Sequence, residues 1–119
     1  MDQIEFVEKL KKYGIDQNHA IYKEIFAEPL GKDATNAELV HFMNIYQSLD
    51  QDKQTIVLDY LKQVITDSVG IILSLLDGSS NIGQTGKFKL YYEATDGQTY
   101  LINNRKGDCL MTLLYEDDE

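Results

Sequence analysis

The chain has 119 residues, 43% of them hydrophobic, with one proline, one cysteine and a formal net charge of −9. Such a composition is typical of one globular domain, not of a disordered chain. The negative charge opposes binding to duplex DNA or anionic membranes and favours a basic protein partner, although cytosolic proteins are often acidic for solubility alone. The N-terminus alternates charged and apolar residues and has no apolar signal-peptide core. We therefore expect a cytoplasmic protein with no nucleic-acid or membrane partner.

Two helices are predicted in the first 27 residues. Asp2 can cap the first helix, and Gly14 is expected to end it. The second helix covers Gln17–Ala27, and Pro29 and Gly31 stop it. The apolar positions at helical spacing are Ile4, Val7 and Leu10 in the first helix and Ala20, Ile21, Ile25 and Phe26 in the second.

A third helix is expected to follow a capping box formed by Thr35 and Glu38, whose side chains satisfy each other's free backbone donors. His41 lies beside the apolar side of this helix, where a partly buried structural histidine is the ordinary outcome. The apolar stripe consists of Leu39, Phe42, Met43, Tyr46 and Leu49.

The longest predicted helix begins at Asp50 and, if unbroken to Asp77, extends about 40 Å. It either breaks near Ser68 and Gly70 or forms the backbone of the domain.

Val69–Leu76 is apolar on nearly every side, which predicts burial under the earlier helices and a following hairpin. This stretch is too short to span a bilayer. A coiled-coil dimer is disfavoured because the seven-residue pattern covers too few heptads. The pattern comprises Val57, Leu61, Val64, Ser68, Ile71 and Leu75, flanked by Ile56, Tyr60, Ile65, Val69, Ile72 and Leu76.

A mobile surface connection is predicted over residues 78–86, which include three glycines. It lacks the Gly-Lys-Ser/Thr ending of a phosphate-binding loop. A β-hairpin follows, with Asp96-Gly97 as a two-residue type I′ turn. This turn places Glu93 opposite Tyr100, Tyr91 opposite Ile102, Thr95 opposite Gln98 and Lys89 opposite Asn104.

Side-chain alternation assigns the hairpin residues to two faces. The face expected to pack on the long helix carries Phe88, Leu90, Tyr92, Ala94 and Leu101. The opposite face combines aromatic, apolar and charged residues, and we take it as a hypothetical partner-binding site. The same cross-strand pairs also stabilise a sheet without any ligand. The candidate site residues are Lys89, Tyr91, Glu93, Tyr100 and Ile102, with Lys87 and Lys106 at the margin.

After Gly107, the spacing of Leu110, Leu113 and Leu114 favours a short helix capped by Asp108, although a third strand remains an alternative. Cys109 has apolar neighbours on its C-terminal side, which predicts a buried, inert thiol. Residues 116–119 are all acidic and are expected to form a solvated tail.

No catalytic, cofactor-binding or metal-binding motif is present. His19 and His41 lack a cysteine, a carboxylate or a second histidine at ligand spacing. Asp50 and Asp52 resemble the start of a calcium loop, but its glycine and its distant glutamate are missing. Helix capping explains these two carboxylates better.

The C-terminal half resembles a group of small uncharacterised bacterial domains. The resemblance rests on VGIILSLLDG at residues 69–78 and on a Leu-x-x-Leu-Leu-Tyr-Glu ending. Some of these domains look like immunity proteins, which neutralise a toxin by binding it, so the resemblance implies an interaction role. The matching residues are Ile71, Ile72, Leu75, Leu76, Asp77, Gly78, Leu110, Leu113, Leu114, Tyr115 and Glu116.

The sequence therefore predicts a single α+β domain over residues 1–119. Its helical part (1–77), with the long central helix, is followed by the connection (78–86) and by a segment (87–119) with a β-hairpin and a short terminal helix or strand. We expect a non-enzymatic protein-interaction domain without cofactor or metal, with an immunity-type inhibitor of a basic protein as its specific form. The alternative is a structural or regulatory homo-oligomer joined through the tyrosine face or a hairpin edge. A small enzyme ranks third.

Overall fold

The N-terminal part of the chain forms one continuous helical rod. The computed structural model describes residues 1–29, 36–104 and 107–116. Asp2 caps helix α1 (Gln3–Lys9), and its Oδ1 accepts a hydrogen bond from the Glu5 amide at 2.9 Å. The rod continues through a π-helical segment, Leu10–Asp16, into α2 (Gln17–Phe26). The prediction that Gly14 ends the first helix is wrong, because Gly14 lies inside the π-helical segment and does not take a positive φ.

The π-helical segment changes which side chains of the rod share a face. An uninterrupted α-helix would place Val7 and Ile15 about 80° apart around its axis. The wider π turns alter that angle, and both side chains are buried in the same hydrophobic cluster.

Helix α3 (Ala37–Ser48) is joined to the end of α2 by a glutamine. Gln47 Nε2 donates to the carbonyl oxygens of Phe26 and Glu28, both at 2.8 Å. The helix starts at Asn36, whose Oδ1 accepts from the Leu39 amide at 3.1 Å. The N-cap is therefore Asn36, one residue after the predicted Thr35, which lies outside the described residues, as does Gly31. Helix α2 ends before Pro29, as predicted.

Helix α4 (Gln51–Asp77) forms the backbone of the molecule. Asp50 caps it, with Oδ1 accepting from the Lys53 amide at 2.9 Å, and Gly78 ends it with φ of +80°. Its 27 residues extend about 40 Å and continue through Ser68 and Gly70. The helix therefore does not break there, and the other alternative, a helix that forms the backbone of the domain, is confirmed.

Two separate hydrophobic clusters lie along α4, which explains an elongated shape. The radius of gyration is 18.3 Å and the longest dimension is 49 Å. A compact domain of this length has a radius of gyration of about 13.5 Å. The first cluster contains Val7, Ile15, Leu73, Ile102, Leu110, Leu113 and Leu114. The second contains Phe26, Met43, Tyr46 and Leu58.

Burial of the C-terminal part of α4 is one-sided. Leu73 is 1% exposed, but Ile71 and Ile72 are 64% and 60% exposed. The prediction that Val69–Leu76 is buried on nearly every side is wrong, because α1, α5 and the base of the hairpin supply partners on one side only.

The β-hairpin has a different register from the predicted one. Strands β1 (Tyr91–Glu93) and β2 (Thr99–Leu101) pair Tyr91 with Leu101 and Glu93 with Thr99. The loop has three residues, because the Ala94 amide donates to the Gln98 carbonyl at 2.8 Å. Gly97, with φ of +86°, occupies the left-handed last position of this loop. The predicted two-residue turn is therefore wrong, and a shift of one residue moves every β2 side chain to the other face.

The base of the hairpin, not its strands, attaches it to α4. Leu90 and Ile102 pack into the first cluster, and the Ile102 amide donates to the Leu90 carbonyl at 2.8 Å. Phe88 and Tyr92, predicted to face α4, are 40% and 38% exposed. Leu101 lies on the opposite face, beside Tyr91.

Buried Asn103 completes this attachment with three hydrogen bonds. Its Nδ2 donates to the carbonyl oxygens of Leu76, at 2.7 Å, and Phe88, at 2.8 Å. Its Oδ1 accepts from the Leu90 amide at 2.8 Å. The side chain of Asn103, which follows β2, thus links the end of α4 to the residues that precede β1.

Residues 110–115 form a helix, α5 (Leu110–Tyr115), as favoured over a strand. The predicted cap, Asp108, is wrong: Asp77 at the end of α4 accepts from the amides of Leu110, at 2.8 Å, and Met111, at 2.9 Å. Cys109 is exposed, not buried, because it precedes the helix while the three leucines occupy the core side.

The connection at residues 78–86 lies largely at the surface, as predicted. Its first residues return to α4: the amides of Ser79 and Ser80 donate to the Ser74 carbonyl at 3.0 and 3.2 Å.

Candidate functional site

The five residues of the predicted partner-binding face do not form one surface. Lys89, Tyr91 and Glu93 are exposed and alternate along one side of the hairpin. Tyr100 lies on the other side against Tyr92, with ring centroids 6.4 Å apart. Ile102 is 1% exposed and belongs to the core. The predicted face is therefore wrong for Tyr100 and Ile102, and the cause is the one-residue shift in register.

The outer edge of β1 is open within the described part of the chain, where the sheet has only two strands. The hydrogen bonds between Ala94 and Gln98 and between Ile102 and Leu90 place the even-numbered residues of β1 against β2. Because such bonds alternate along an antiparallel pair, the N–H and C=O groups of Tyr91 and Glu93 point away from β2. This edge carries both unpaired backbone groups and exposed side chains.

A second surface, outside the predicted partner-binding face, lies on α4. Ile56, Tyr60, Val64 and Ile71 are 66%, 71%, 48% and 64% exposed. At 3.6 residues per turn they fall within about 80° around the helix axis. We call these four residues the α4 stripe. Single exposed apolar residues are ordinary, but several large ones on one helix face are typical of a binding surface.

The sequence carries a signal for the α4 stripe, whose residues belong to or flank the seven-residue pattern of this helix. Helix α4 carries apolar residues at two adjacent sets of heptad positions. A helix that faces the core with one side needs fewer apolar positions than this. Val57 and Leu61 from these sets pack against the second cluster, and Ile56 and Tyr60 do not.

Carboxylates accompany the α4 stripe. Asp52 and Asp59 are exposed and lie within about 60° of Ile56 around the axis, along one border of the stripe. Asp67 lies between Val64 and Ile71 along the helix. The surface therefore combines apolar contact area with negative charge.

Two hydrogen bonds favour the charged form of Asp67. Its Oδ1 accepts hydrogen bonds from Tyr115 Oη, at 2.7 Å, and from Gln63 Nε2, at 2.9 Å. The bond from Tyr115, followed by that from Gln63, lowers the pKa of the Asp67 carboxyl below its ordinary value, and the same bond to Asp67 raises the pKa of Tyr115. Negative charge at this point of the α4 stripe is thus a fixed feature.

The nucleophilic and metal-ligating side chains lie apart from one another. His19 Nε2 is 2.7 Å from the Leu58 carbonyl oxygen, a contact that joins α2 to α4. His41 is exposed, so its predicted partial burial is wrong. Cys109 Sγ is 3.0 Å from Thr112 Oγ1. Across residues 1–29, 36–104 and 107–116, no three His, Cys, Asp or Glu side chains are grouped so that they could hold a metal ion.

A polar cleft of about 280 Å³ lies beside the connection after α4. Its polar groups largely bond to one another: Asn81 Nδ2 donates to the Gln84 carbonyl at 3.2 Å, and Gln84 Oε1 accepts from the Ile82 amide at 2.7 Å. These two hydrogen bonds hold residues 81–84 of the loop together.

No family model, curated protein or solved structure matches the chain. None of the helices in the described ranges combines the length and the apolarity needed to cross a bilayer.

Proposed function

We propose that this protein is a non-enzymatic interaction domain that binds a basic protein partner through the α4 stripe and its carboxylates. The observation that carries the proposal is the exposure of four large apolar side chains, 48–71% each, on one face of a rigid helix. A helix attached to two hydrophobic clusters presents such a face in a fixed arrangement. Binding then costs little reorganisation of the protein.

Apolar burial supplies the affinity in this proposal. Full burial of a large apolar side chain stabilises a complex by about 1.5–3 kcal/mol. Scaled by the exposed fractions of the α4 stripe, the four residues together contribute roughly 4–7 kcal/mol against the cost of association. Further contacts at the border complete the affinity.

Charge supplies the choice of partner. The net charge of −9 attracts a basic protein over distance and speeds its encounter, an effect that salt weakens. Asp52, Asp59 and Asp67 place negative charge where the partner's apolar contacts would form. The expected partner surface is therefore an apolar strip with lysine or arginine beside it.

An immunity-type inhibitor is the specific form that we propose, acting in the cytoplasm against a basic toxin. The resemblance of the C-terminal half to immunity-protein-like domains supports it, together with the acidic charge. A toxin encoded by the neighbouring gene is the expected partner.

The proposal is tested by co-purification from the native host with wild type, Tyr60→Asp and the control Tyr13→Asp. Tyr13 is 54% exposed and lies in the π-helical segment, not on α4. We expect a basic protein to be retained stoichiometrically by wild type and by Tyr13→Asp, and to be lost with Tyr60→Asp. Retention of the same partner by Tyr60→Asp, or recovery of no stoichiometric partner by wild type, would contradict the proposal.

A further inference from the structure

We propose that two copies of this chain associate by antiparallel pairing of their β1 edges, around a two-fold axis that passes through Tyr91. The occupant of the open edge is thus a second copy of the same strand, and the product is a four-stranded sheet. This surface differs from the α4 stripe, so the inference goes beyond the proposed function.

The backbone geometry of β1 selects the register of such a pair. The outward-pointing N–H and C=O groups belong to the odd-numbered residues, because the even-numbered ones bond to β2. A two-fold axis at Tyr91 makes Tyr91 a hydrogen-bonded pair with Tyr91 of the second copy. The same register pairs Lys89 of each copy with Glu93 of the other. All of the outward groups between positions 89 and 93 then find partners, as in strand addition to an exposed edge.

The charges of β1 are self-complementary in this register. Lys89 and Glu93 lie two residues on either side of Tyr91, on the same exposed face of the strand. Antiparallel pairing brings each lysine opposite the glutamate of the other copy, so two cross-strand ion pairs form. Opposite charges directly across a sheet are favourable, and like charges are unfavourable. A parallel arrangement would instead place lysine beside lysine and glutamate beside glutamate.

The charge pattern of β1 also differs from that of an edge strand that is protected against pairing with another chain. Edge strands often carry lysine to prevent pairing with another chain. Here Lys89 has a matching Glu93 at the symmetric position, so the pattern favours one register with another copy. Tyr92 then lies opposite Leu90 of the second copy, which adds apolar contact on the other face.

A charge exchange tests the proposal in solution. Sedimentation velocity over a range of concentrations compares wild type, Lys89→Glu, Glu93→Lys and the double variant Lys89→Glu/Glu93→Lys. We expect wild type to dimerise and each single variant to raise the dimer dissociation constant about tenfold or more, because two attractive pairs become repulsive. The double variant restores both pairs with the charges exchanged and should dimerise like wild type. Glu24→Lys, at an exposed position of α2, changes the net charge as Glu93→Lys does and is the control for that variant.

Disulfide formation tests the position of the two-fold axis. In a Cys109→Ser background, Tyr91→Cys places two thiols in a hydrogen-bonded pair with a Cα separation of about 5.5 Å, which suits a disulfide. Glu93→Cys places them about 13 Å apart, four residues along the strand. We expect Tyr91→Cys to give a covalent dimer under mild oxidation and Glu93→Cys to remain uncrosslinked.

Several results would overturn the proposal. A wild type that remains monomeric at every concentration excludes the dimer. Single charge variants that dimerise like wild type exclude this register, as does a double variant that stays monomeric although its circular dichroism is native. A dimer that Tyr60→Asp abolishes and Glu93→Lys leaves intact assigns self-association to the α4 stripe instead.

Discussion

Replacement of Asn103 by alanine is expected to loosen the hairpin from α4. The side chain is 6% exposed and makes three hydrogen bonds, to the carbonyl oxygens of Leu76 and Phe88 and from the Leu90 amide, at 2.7–2.8 Å. Alanine removes all three and introduces no replacement. The carbonyl oxygen at the end of α4 and two groups at the hairpin base then lose their partners.

The magnitude follows from these three bonds. A hydrogen bond contributes about 1 kcal/mol net, and a buried group left without a partner costs about 1–3 kcal/mol. We therefore expect the free energy of unfolding to fall by about 3 kcal/mol, a large part of the ~5–15 kcal/mol typical of a domain. For a protein of this size, such a loss lowers Tm by roughly 10–15 °C.

Chemical and thermal unfolding followed by circular dichroism measure this loss. Asn44→Ala is the control, because Asn44 is exposed on α3; it should remain within about 0.5 kcal/mol of wild type. Amide hydrogen exchange at Leu90 should accelerate in Asn103→Ala alone. A loss below about 1 kcal/mol, with unchanged exchange at Leu90, would refute the assignment of Asn103 as the link between hairpin and α4.

Three other changes test the attachment of α5. Asp77→Ala removes both acceptors from the first amides of α5 and should destabilise the protein by about 2 kcal/mol in urea unfolding. Gly70→Ala should stabilise by about 1 kcal/mol in a Tyr115→Ala background and by less in wild type, because the new Cβ would lie 2.8 Å from Tyr115 Oη. Tyr115→Phe should raise the pKa of Asp67 toward its ordinary value in an NMR titration, since the tyrosine hydroxyl is the main cause of the lowered pKa. A carboxyl whose pKa is lower in the folded state stabilises the fold at pH values above its ordinary pKa of 3.8. This contribution is lost as the pH falls through the folded-state pKa. The difference in stability between wild type and Tyr115→Phe should therefore shrink in acid.

Controls separate these effects from general changes. Asp59→Ala removes an exposed carboxylate of α4 and should leave stability within about 0.5 kcal/mol of wild type, unlike Asp77→Ala. Equal gains for Gly70→Ala in both backgrounds would show that Tyr115 does not restrict this site. An unchanged Asp67 pKa in Tyr115→Phe would exclude the hydrogen bond between them in solution.

The helix boundaries set by local chemistry could be predicted from the sequence. The carboxylates of Asp2 and Asp50 each accept a hydrogen bond from the backbone amide three residues later. The sequence signal for each cap therefore lies within one helical turn. Gly14 shows the limit of such rules, because a glycine ends a helix only if the chain adopts a positive φ there. The cap of α5 could not be predicted, because the Leu110 amide donates to Asp77, which lies 33 residues earlier in the chain.

The hairpin was predictable, but its register was not. Asp96-Gly97 fits a two-residue turn and equally the end of a three-residue loop, since Gly97 supplies the positive φ in either case. The difference of one residue transfers Ile102 from the surface to the core. Its burial together with Leu90 is the tertiary contact that selects the observed register.

The α4 stripe illustrates why a candidate site is harder to predict than a fold. The apolar residues at positions 56, 60, 64 and 71 identify the helix correctly, but periodicity does not report which apolar side receives a covering element. The exposure of these four side chains follows only from the placement of α2, α5 and the π-helical segment around α4. The acidic border becomes visible only after the exposed side is known.

Photo-crosslinking in a lysate of the native host tests the central claim, that the α4 stripe binds a basic protein, most directly. A benzophenone amino acid replaces Tyr60, which is 71% exposed, or Tyr13, which is 54% exposed, and the adducts are identified by mass spectrometry after irradiation. We expect position 60 to give one predominant adduct with a basic protein, reduced by high salt during irradiation of the lysate, and position 13 to give none. No adduct at position 60, or the same adducts at both positions, would contradict the claim.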